Sequence, residues 1–496
     1  MDYYYSFVLG FTFVLSFLYA IAKICGRGSK KLPPGPSPWP IIGNLHLLGT
    51  KPHVSLANVA KIYGPVMSLK FGQITTVVIS SSTMAKQVLK NQDQAFSTRF
   101  IPNALQAHNH YQFSVAWLPV CLQWRTLRRI LNTNIFTSNR LDANQHLRCQ
   151  KVKDLIAYCE KCCEEGKVVD IGQVAFKTNL NLLSNTLFSK DLADPFSDSK
   201  VELKEVIWCI MAEVGKPNLG DFFPIFKKID LQGIRRNTTI YFGKLVKLFD
   251  GLINERLEEK RRFHNERNDV LEAFLNISEE NPKEINHNHI KSMFLDLFGA
   301  GTDTTTSTLE WAMAEILKQP EIMKKAQVEL AEIIGKGKLI EEADVSRLPY
   351  LQCIVKETLR MHPPVPFLVP RKVEQDVDLC EYIIPKDSQV LVNVWAIGRD
   401  FTSWEDPLIF KPERFWRSDI DMRGQDFELI PFGAGRRICP GYPLALRMIP
   451  VILGSLLNSF NWKLEGGIGP KDLDMEEKFG ITLGKAHPLR AIPSPL

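Results

Sequence analysis

Cys439 sits in the run Pro431-Phe432-Gly433-Ala434-Gly435-Arg436-Arg437-Ile438-Cys439-Pro440-Gly441, just ahead of an apolar helical stretch that begins near Leu444. Glycines let a backbone come close to a bound group, and amides near a sulfur stabilise its thiolate. A cysteine placed in this way suits metal ligation. For an arbitrary cysteine, the alternative is a buried structural role in a glycine-rich turn. Cys159, Cys162 and Cys163 form the other cysteine cluster, with CxxC-like spacing. A structural zinc would need further ligands at matching intervals; none is evident, so the expectation there is a solvated helix face.

A second concentration of reactive groups lies in the strongly apolar run from about Ile290 to Lys318, where Gly299-Ala300-Gly301-Thr302-Asp303-Thr304-Thr305-Thr306 stands in mid-helix. Small and hydroxylated residues weaken a helical ladder and can open a local bulge, often at functional sites. The alternative is a helix that is capped and restarted at Asp303. A third element, Leu348 to Met361, carries Leu351, Ile354, Val355 and Leu359 at helical spacing and stops before Pro363-Pro364. Glu357 and Arg360 share one of its faces, a spacing that by itself gives only a weak surface ion pair.

The elements that must position these groups follow from patterning. Tyr3 to Ala22 contains no charge and is long enough to cross a bilayer as a helix. Lys23, Arg27, Lys30 and Lys31 follow, which places the remainder on the cytosolic side. A cleaved signal peptide is the alternative, opposed by the length of the stretch and the absence of a basic start or a small-residue cleavage pattern. The expectation is a single-pass anchor in the endoplasmic reticulum with a cytosolic catalytic domain. Residues 1–31 are then anchor and basic flank, 32–40 a stiff proline-rich hinge, and 41–496 the catalytic domain. Val66 to Ser80 alternates around Gly72 as a β-hairpin, helical periodicity dominates until about Pro370, and Val373 to Val394 forms short strands. The fold class is mainly α with minor β. A net charge of +6, from 61 basic and 55 acidic residues spread along the chain, argues against nucleic-acid binding. The 10 dispersed cysteines do not form a disulfide framework.

Taken together, Phe432, Gly435, Arg437, Cys439 and Gly441 complete the pattern F-x-x-G-x-R-x-C-x-G, which resembles the haem-binding loop of the cytochrome P450 family. Ala300, Gly301, Asp303, Thr304 and Thr305 resemble its A-G-x-D-T-T helix. Glu357 with Arg360 resembles its E-x-x-R helix, Pro412 to Phe415 its P-E-R-F loop, and Trp124 with Arg128 its W-x-x-x-R helix. The motifs span Leu32 to Pro493 in the family's order. The resemblance implies the cytochrome P450 fold and haem b (iron protoporphyrin IX) with Cys439 as the iron ligand. It also implies Trp124, Arg128, Arg371 and Arg437 about the propionates, and Asp303 and Thr304 as a proton relay to dioxygen. Glu357, Arg360 and Arg414 become a structural lock. Electrons would come from NADPH through a membrane-bound cytochrome P450 reductase, with Arg125, Arg129 and Arg436 as a candidate docking face.

Within the family, Pro102 to Asn109, Phe113 to Val120 and Met475 to Leu483 look most like the plant geraniol 8-hydroxylase group of monoterpenoid hydroxylases. Tyr111, Cys121 and Leu122 depart from that group. The implied reaction hydroxylates a small terpenoid alcohol, geraniol or nerol, at its terminal allylic methyl. Phe113, Val115, Phe298, Ala300, Val365, Phe367, Leu368 and Ile481 are the expected pocket, and Asn109 and Thr482 the candidate polar tethers. Alternatives are another plant terpenoid or phenolic as substrate, a haem-thiolate isomerase or dehydratase, and a non-enzymatic haem protein. Asp303 and Thr304, present together, argue against the last two.

Overall fold

The computed structural model describes residues 5, 10–13, 32–197, 202–263 and 267–496. The expected anchor and its basic flank therefore fall almost entirely outside the described residues. Among the described residues, no helix is long and apolar enough to cross a membrane.

The chain is mainly helical. Its principal helices are α1 (Pro52–Tyr63), α2 (Leu122–Leu131), α3 (Gln145–Glu165), α4 (Ile171–Phe188), α5 (Glu202–Gly215) and α6 (Ile234–Phe263). These are followed by α7 (Val270–Glu280), α8 (His287–Lys318), α9 (Pro320–Ile333), α10 (Pro349–Met361) and α11 (Tyr442–Ser459). Strands β1 (Val66–Phe71) and β2 (Ile74–Ile79) form the expected hairpin, with Gly72 at φ 56° in its turn. β4 (Arg371–Lys372) and β7 (Gln389–Val392) complete the sheet in the order β1-β2-β7-β4, with β2 and β7 parallel. β5 (Val377–Leu379) pairs β6 (Tyr382–Ile384). Sequence reading had not extended to β3 (Val169–Asp170), β8 (Phe460–Leu464) and β11 (Arg490–Pro495), which make a second sheet, or to the pair β9 (Glu477–Lys478) and β10 (Gly484–Lys485).

Helix α8 is the beam of the fold. Its start is fixed by the Asn286 side chain, which accepts from the Asn288 and His289 amides at 3.1 and 3.2 Å, and it stops ahead of Pro320. It packs against α4, α5, α6, α10 and α11. In its C-terminal half Leu309, Trp311, Ala312, Met313 and Ile316 are fully buried. The helix is neither bulged nor restarted at Asp303. The hydroxyls of Thr302, Thr304 and Thr308 instead bond back to the carbonyls of Phe298, Ala300 and Thr304 at 2.6, 2.6 and 2.9 Å.

Two further expectations change. Cys159 and Cys162, at 0% and 2% exposure, face the hydrophobic core rather than solvent, because α3 turns that side against α4 and α11. The proline-rich run is extended, but it lies against β1. Pro34 O accepts from the Ser68 amide at 2.9 Å and Pro33 O from its hydroxyl at 2.8 Å, while a Cβ on Gly35 would fall 1.8 Å from Ser68 O.

Glu357 and Arg360 on α10 are not a surface pair. At 0% and 1% exposure they form a bidentate pair at 2.7 and 2.8 Å, and Arg414 Nε donates to the same carboxylate at 2.9 Å. Arg360 also donates to the carbonyls of Gly398, Pro407 and Ile409, and Arg414 to that of Glu405. One carboxylate thus anchors the meander between 398 and 415 to α10. Removing one member of a buried ionic network costs about 3–5 kcal/mol, since the remaining charges stay buried without compensation. Glu357→Ala is expected to lower the thermal midpoint sharply and to deplete folded protein. A midpoint equal to wild type by differential scanning fluorimetry would contradict this role.

Candidate active site

The loop before α11 holds Cys439 in a backbone cage. The Cys439 amide donates to Phe432 O at 3.0 Å, and Gly433 and Gly435 turn the chain at φ 69° and 67°. A side chain at Gly435 is impossible, as its Cβ would lie 1.9 Å from Leu89 O. Burial pushes the Cys439 thiol up, while the Gly441 amide, the Arg128 charge and the Tyr442 amide pull it back. Those amides open α11, so the sulfur sits at a helix N-terminus that favours negative charge. Among the described residues no cluster of three His, Cys, Asp or Glu side chains could hold a metal ion.

Beside the cysteine lie four arginines with no carboxylate in salt-bridge range among the described residues, Asp93 acting on Arg371 only from beyond it. Arg128 Nη2 donates to Ile438 O at 2.6 Å, Arg371 Nη1 to Phe96 O at 2.8 Å, and Arg437 Nε to Ser97 O at 2.9 Å. Arg99, absent from the expected set, donates to Ala116 O and Val369 O at 3.2 and 2.9 Å. Arg437 also stacks 4.6 Å over the Trp124 ring, and Trp124 Nε1 donates to Val115 O at 3.0 Å. Burial, reinforced by the charges of Arg371 and Arg128, lowers Arg437 to about 9, and burial lowers Arg371 to about 10. Arg99 is also held well below the usual guanidinium range, by burial and then by the charges of Arg371, Arg437 and Arg128. Arg371 Nε is buried with no acceptor. Clustered buried cations of this kind call for an anion, and a ligand with carboxylates beside a metal meets both demands.

On α8, Ala300 is exposed and Thr304 half-buried, an i,i+4 pair of accessible positions. Phe367, Leu368 and Ile481 come together with Trp117, Val214 and Phe479 around one apolar cavity. The Ile481 amide donates to Met211 O at 3.3 Å and the Leu483 amide to Pro364 O at 2.7 Å, so this corner is fixed by backbone. Asp303 and Thr482 line a different, polar cavity between α8, α5 and β10. Burial raises the Asp303 carboxyl, with Thr482 and Lys204 opposing. The Thr482 hydroxyl is buried beside that carboxyl.

The remaining expected pocket residues lie elsewhere. Phe298, 1% exposed, belongs to the aromatic core with Phe188 and Phe249. Phe113 packs edge-on to His289 at 5.1 Å, and Val115 is buried in the same core. Val365 is half-buried and accepts from the Leu368 amide at 3.0 Å. Asn109 is exposed at φ 52°, where its residue type serves a left-handed turn rather than a tether. Asp296, one turn before Ala300, had not been singled out. It accepts from the Ser114 hydroxyl at 2.7 Å, meets His110 Nε2 at 3.0 Å and takes the Ala116 amide at 3.3 Å, and so ties the 110–116 segment to α8. A lone acid in an apolar helix was its only sequence signal. On the presumed docking face Arg125 and Arg129 are exposed, but Arg436 is paired to Asp93 at 2.8 Å.

The family model for cytochrome P450 matches residues 33–488. The chain belongs to the cytochrome P450 family. Across 493 residues it is 66% identical to a geraniol 8-hydroxylase of Catharanthus roseus, covering 99% of this chain and 100% of that relative. It is 63% identical to a geraniol 8-hydroxylase of Swertia mussotii over 100% of both chains. A 7-ethoxycoumarin O-deethylase of Helianthus tuberosus is 57% identical, over 96% of this chain and 97% of that one. As a P450 the chain is an oxidoreductase, a haem monooxygenase that takes electrons from NADPH through a partner reductase and acts on a small substrate. The residues fit this prosthetic group. Haem brings the metal and the carboxylates that the buried thiol, the unpaired arginines and the orphaned Arg371 Nε require.

Proposed function

We propose that this P450 hydroxylates geraniol, or its isomer nerol, at the terminal allylic methyl far from the alcohol. What carries the reading is identity above 60% along the whole chain to two relatives of that name. The apolar corner of Phe367, Leu368 and Ile481 supports it, being suited to sheathe an isoprenoid chain.

In this reading Cys439 is the iron ligand, within the loop shaped by Phe432, Gly435 and Gly441. Arg371, Arg437 and Arg128 hold the propionates with Trp124 behind them, and Arg99 joins them. When bound, the haem supplies the thiolate-ligated iron at which dioxygen is reduced and cleaved. The chain's own part is to orient substrate, exclude water and deliver protons. Ala300 and Thr304 face the reacting side, Thr304 and Asp303 pass protons, and Ile481 limits how the substrate lies.

The membrane assignment belongs to the same proposal: residues 1–31 anchor the chain in the endoplasmic reticulum in a single pass, 32–40 join the anchor to the body, and 41–496 are the cytosolic catalytic domain. Exposed Trp39, Ile41, Ile42 and Ile62 support it, as do exposed Leu219, Ile225, Ile229 and Leu231. The two strips meet at the hairpin turn, where the Gly72 amide donates to Ile42 O at 3.2 Å and the Gln73 amide to Phe222 O at 2.9 Å. Together they offer an apolar face beside the anchor.

Reconstituted with reductase and NADPH, the enzyme is expected to convert geraniol and nerol to one dominant product hydroxylated at the distal methyl. Ile481→Ala should spread oxidation over several carbons before activity is lost, because only positioning selects among similar C–H bonds. Mass spectrometry of the products decides it: wild type that spares geraniol and nerol while oxidising a phenolic such as 7-ethoxycoumarin would overturn the substrate claim alone. Deleting residues 1–27 should leave a folded, haem-loaded protein that alkaline carbonate strips from membranes. Retention in the carbonate pellet would contradict residues 1–31 as the integral segment.

A further inference from the structure

Asp303 does not stand alone on its side of α8. Thr306, Ser307 and Glu310 follow at i+3, i+4 and i+7, so all four lie along one face, with about 10 Å of helix between the two acids. All four line the polar cavity of about 300 Å³. Lys204, Glu205 and Trp208 of α5 line its far side, with Asp170 of β3 and with Lys478, Thr482 and Lys485 from the β9–β10 region. Trp208 is exposed and Lys478 Nζ lies 3.8 Å above its ring, so the cavity reaches the surface there.

Glu310 is placed unlike a structural acid. It has no ion-pair partner within salt-bridge distance among the described residues, and its carboxylate accepts only the Leu489 amide at 2.9 Å. Room for it is kept by Gly172 of α4, where a Cβ would come within 2.9 Å of Oε1 and 3.1 Å of Oε2. Both Glu310 and Asp303 are enclosed by protein yet keep accessible surface, which they owe to the cavity. Burial lifts Glu310 to about 7, with the Leu489 amide, Lys204 and Lys485 pulling it back and Asp170 adding to the rise. A carboxyl in that range takes and gives a proton at neutral pH. A cavity of this size and lining has room for ordered water, with the Thr482 hydroxyl beside Asp303 as one of its polar contacts.

We propose that this cavity is the proton entry of the enzyme, and that Glu310 collects protons from solvent and passes them through cavity water along Ser307 and Thr306 to Asp303. The inference rests on the monooxygenase activity, which takes up one proton for each electron: R–H, O2, electrons and protons give R–OH and water. Where protons arrive late, reduced oxygen leaves as hydrogen peroxide and NADPH is consumed without product. Glu310 touches neither substrate nor haem, so it acts through Asp303.

The test is hydrogen peroxide released per NADPH oxidised by the reductase-coupled holoenzyme, with and without geraniol, across pH 6 to about 8.5, a window bracketing the carboxyl's range. In wild type the peroxide fraction should climb as pH rises through 7, where Glu310 loses its proton. Glu310→Gln keeps the acceptor for Leu489. It should raise the peroxide fraction severalfold, flatten that pH dependence and slow coupled turnover roughly tenfold, less than loss of a terminal acid. The spectral shift and apparent affinity for geraniol should not change, and Glu310→Asp should restore part of the coupling. Ala212→Leu, which fills the cavity from α5 and spares both acids, should mimic Glu310→Gln and serves if that variant is unstable. Infrared difference titration of the resting enzyme should show a protonated-carboxyl band that disappears near pH 7 and is missing in Glu310→Gln. Wild-type peroxide fractions and pH dependence in both Glu310→Gln and Ala212→Leu would overturn the proposal, as would uncoupling that is equal at every pH and unrelieved by Glu310→Asp. The peroxide readout without substrate stands even if geraniol proves not to be the substrate.

Discussion

Arg99, Arg371 and Arg437 are buried side by side with the half-buried Arg128; their hydrogen bonds go to carbonyls, and among the described residues one guanidinium nitrogen has no acceptor. Buried like charges repel one another and lose their hydration, so the arrangement is stable only when anionic groups enter among them. Each cation is carried by a different part of the chain: Arg99 before the 103–112 turns, Arg128 on α2, Arg371 on β4, Arg437 in the cysteine loop. An anionic ligand that meets all of them therefore draws the sheet, α2 and the cysteine loop together. Binding the prosthetic group would then help to complete the fold, and a thiol that burial disfavours as an anion would be ionised by the metal it is proposed to hold.

Helix α8 turns Asp303, Thr306, Ser307 and Glu310 into the polar cavity, while Ala300 and Thr304 are accessible elsewhere on its surface. The boundary between the polar cavity and the apolar one is the 479–482 segment: Phe479 and Gly480 line both, Ile481 the apolar cavity and Thr482 the polar one. Water kept out of the apolar space would preserve positioning, and water admitted to the polar one would preserve coupling.

Local patterns read well from sequence. The hairpin at Gly72, the strands between Val373 and Val394, and the cysteine loop each depend on residues adjacent in the chain. Contacts between distant segments did not. Nothing beside Arg99 in sequence says that it joins Arg371 and Arg437, and β3 is defined by its partner β11 at the other end of the chain, Val169 pairing Ala491. Phe298 and Asn109 do not line the apolar cavity around Ile481. Their types suit an apolar pocket and a polar tether, but helix phase turns Phe298 into the aromatic core, and a left-handed turn spends Asn109 on the backbone. Cys159 and Cys162 were misread because a small thiol looks polar in sequence and packs as an apolar group. Glu357 shows the reverse: spacing alone gave a weak surface pair, and only the family likeness pointed to the buried lock that the 398–415 meander creates.

The central claim is that Cys439 ligates the haem iron as a thiolate, and the spectrum of the dithionite-reduced, carbon-monoxide-bound protein tests it most directly. Wild type should show the red-shifted Soret band peculiar to thiolate ligation, and Cys439→Ala should lose it even where haem is retained, since no other cysteine stands at the N-terminus of α11. A Cys439→Ala protein that keeps the red-shifted band would contradict the account.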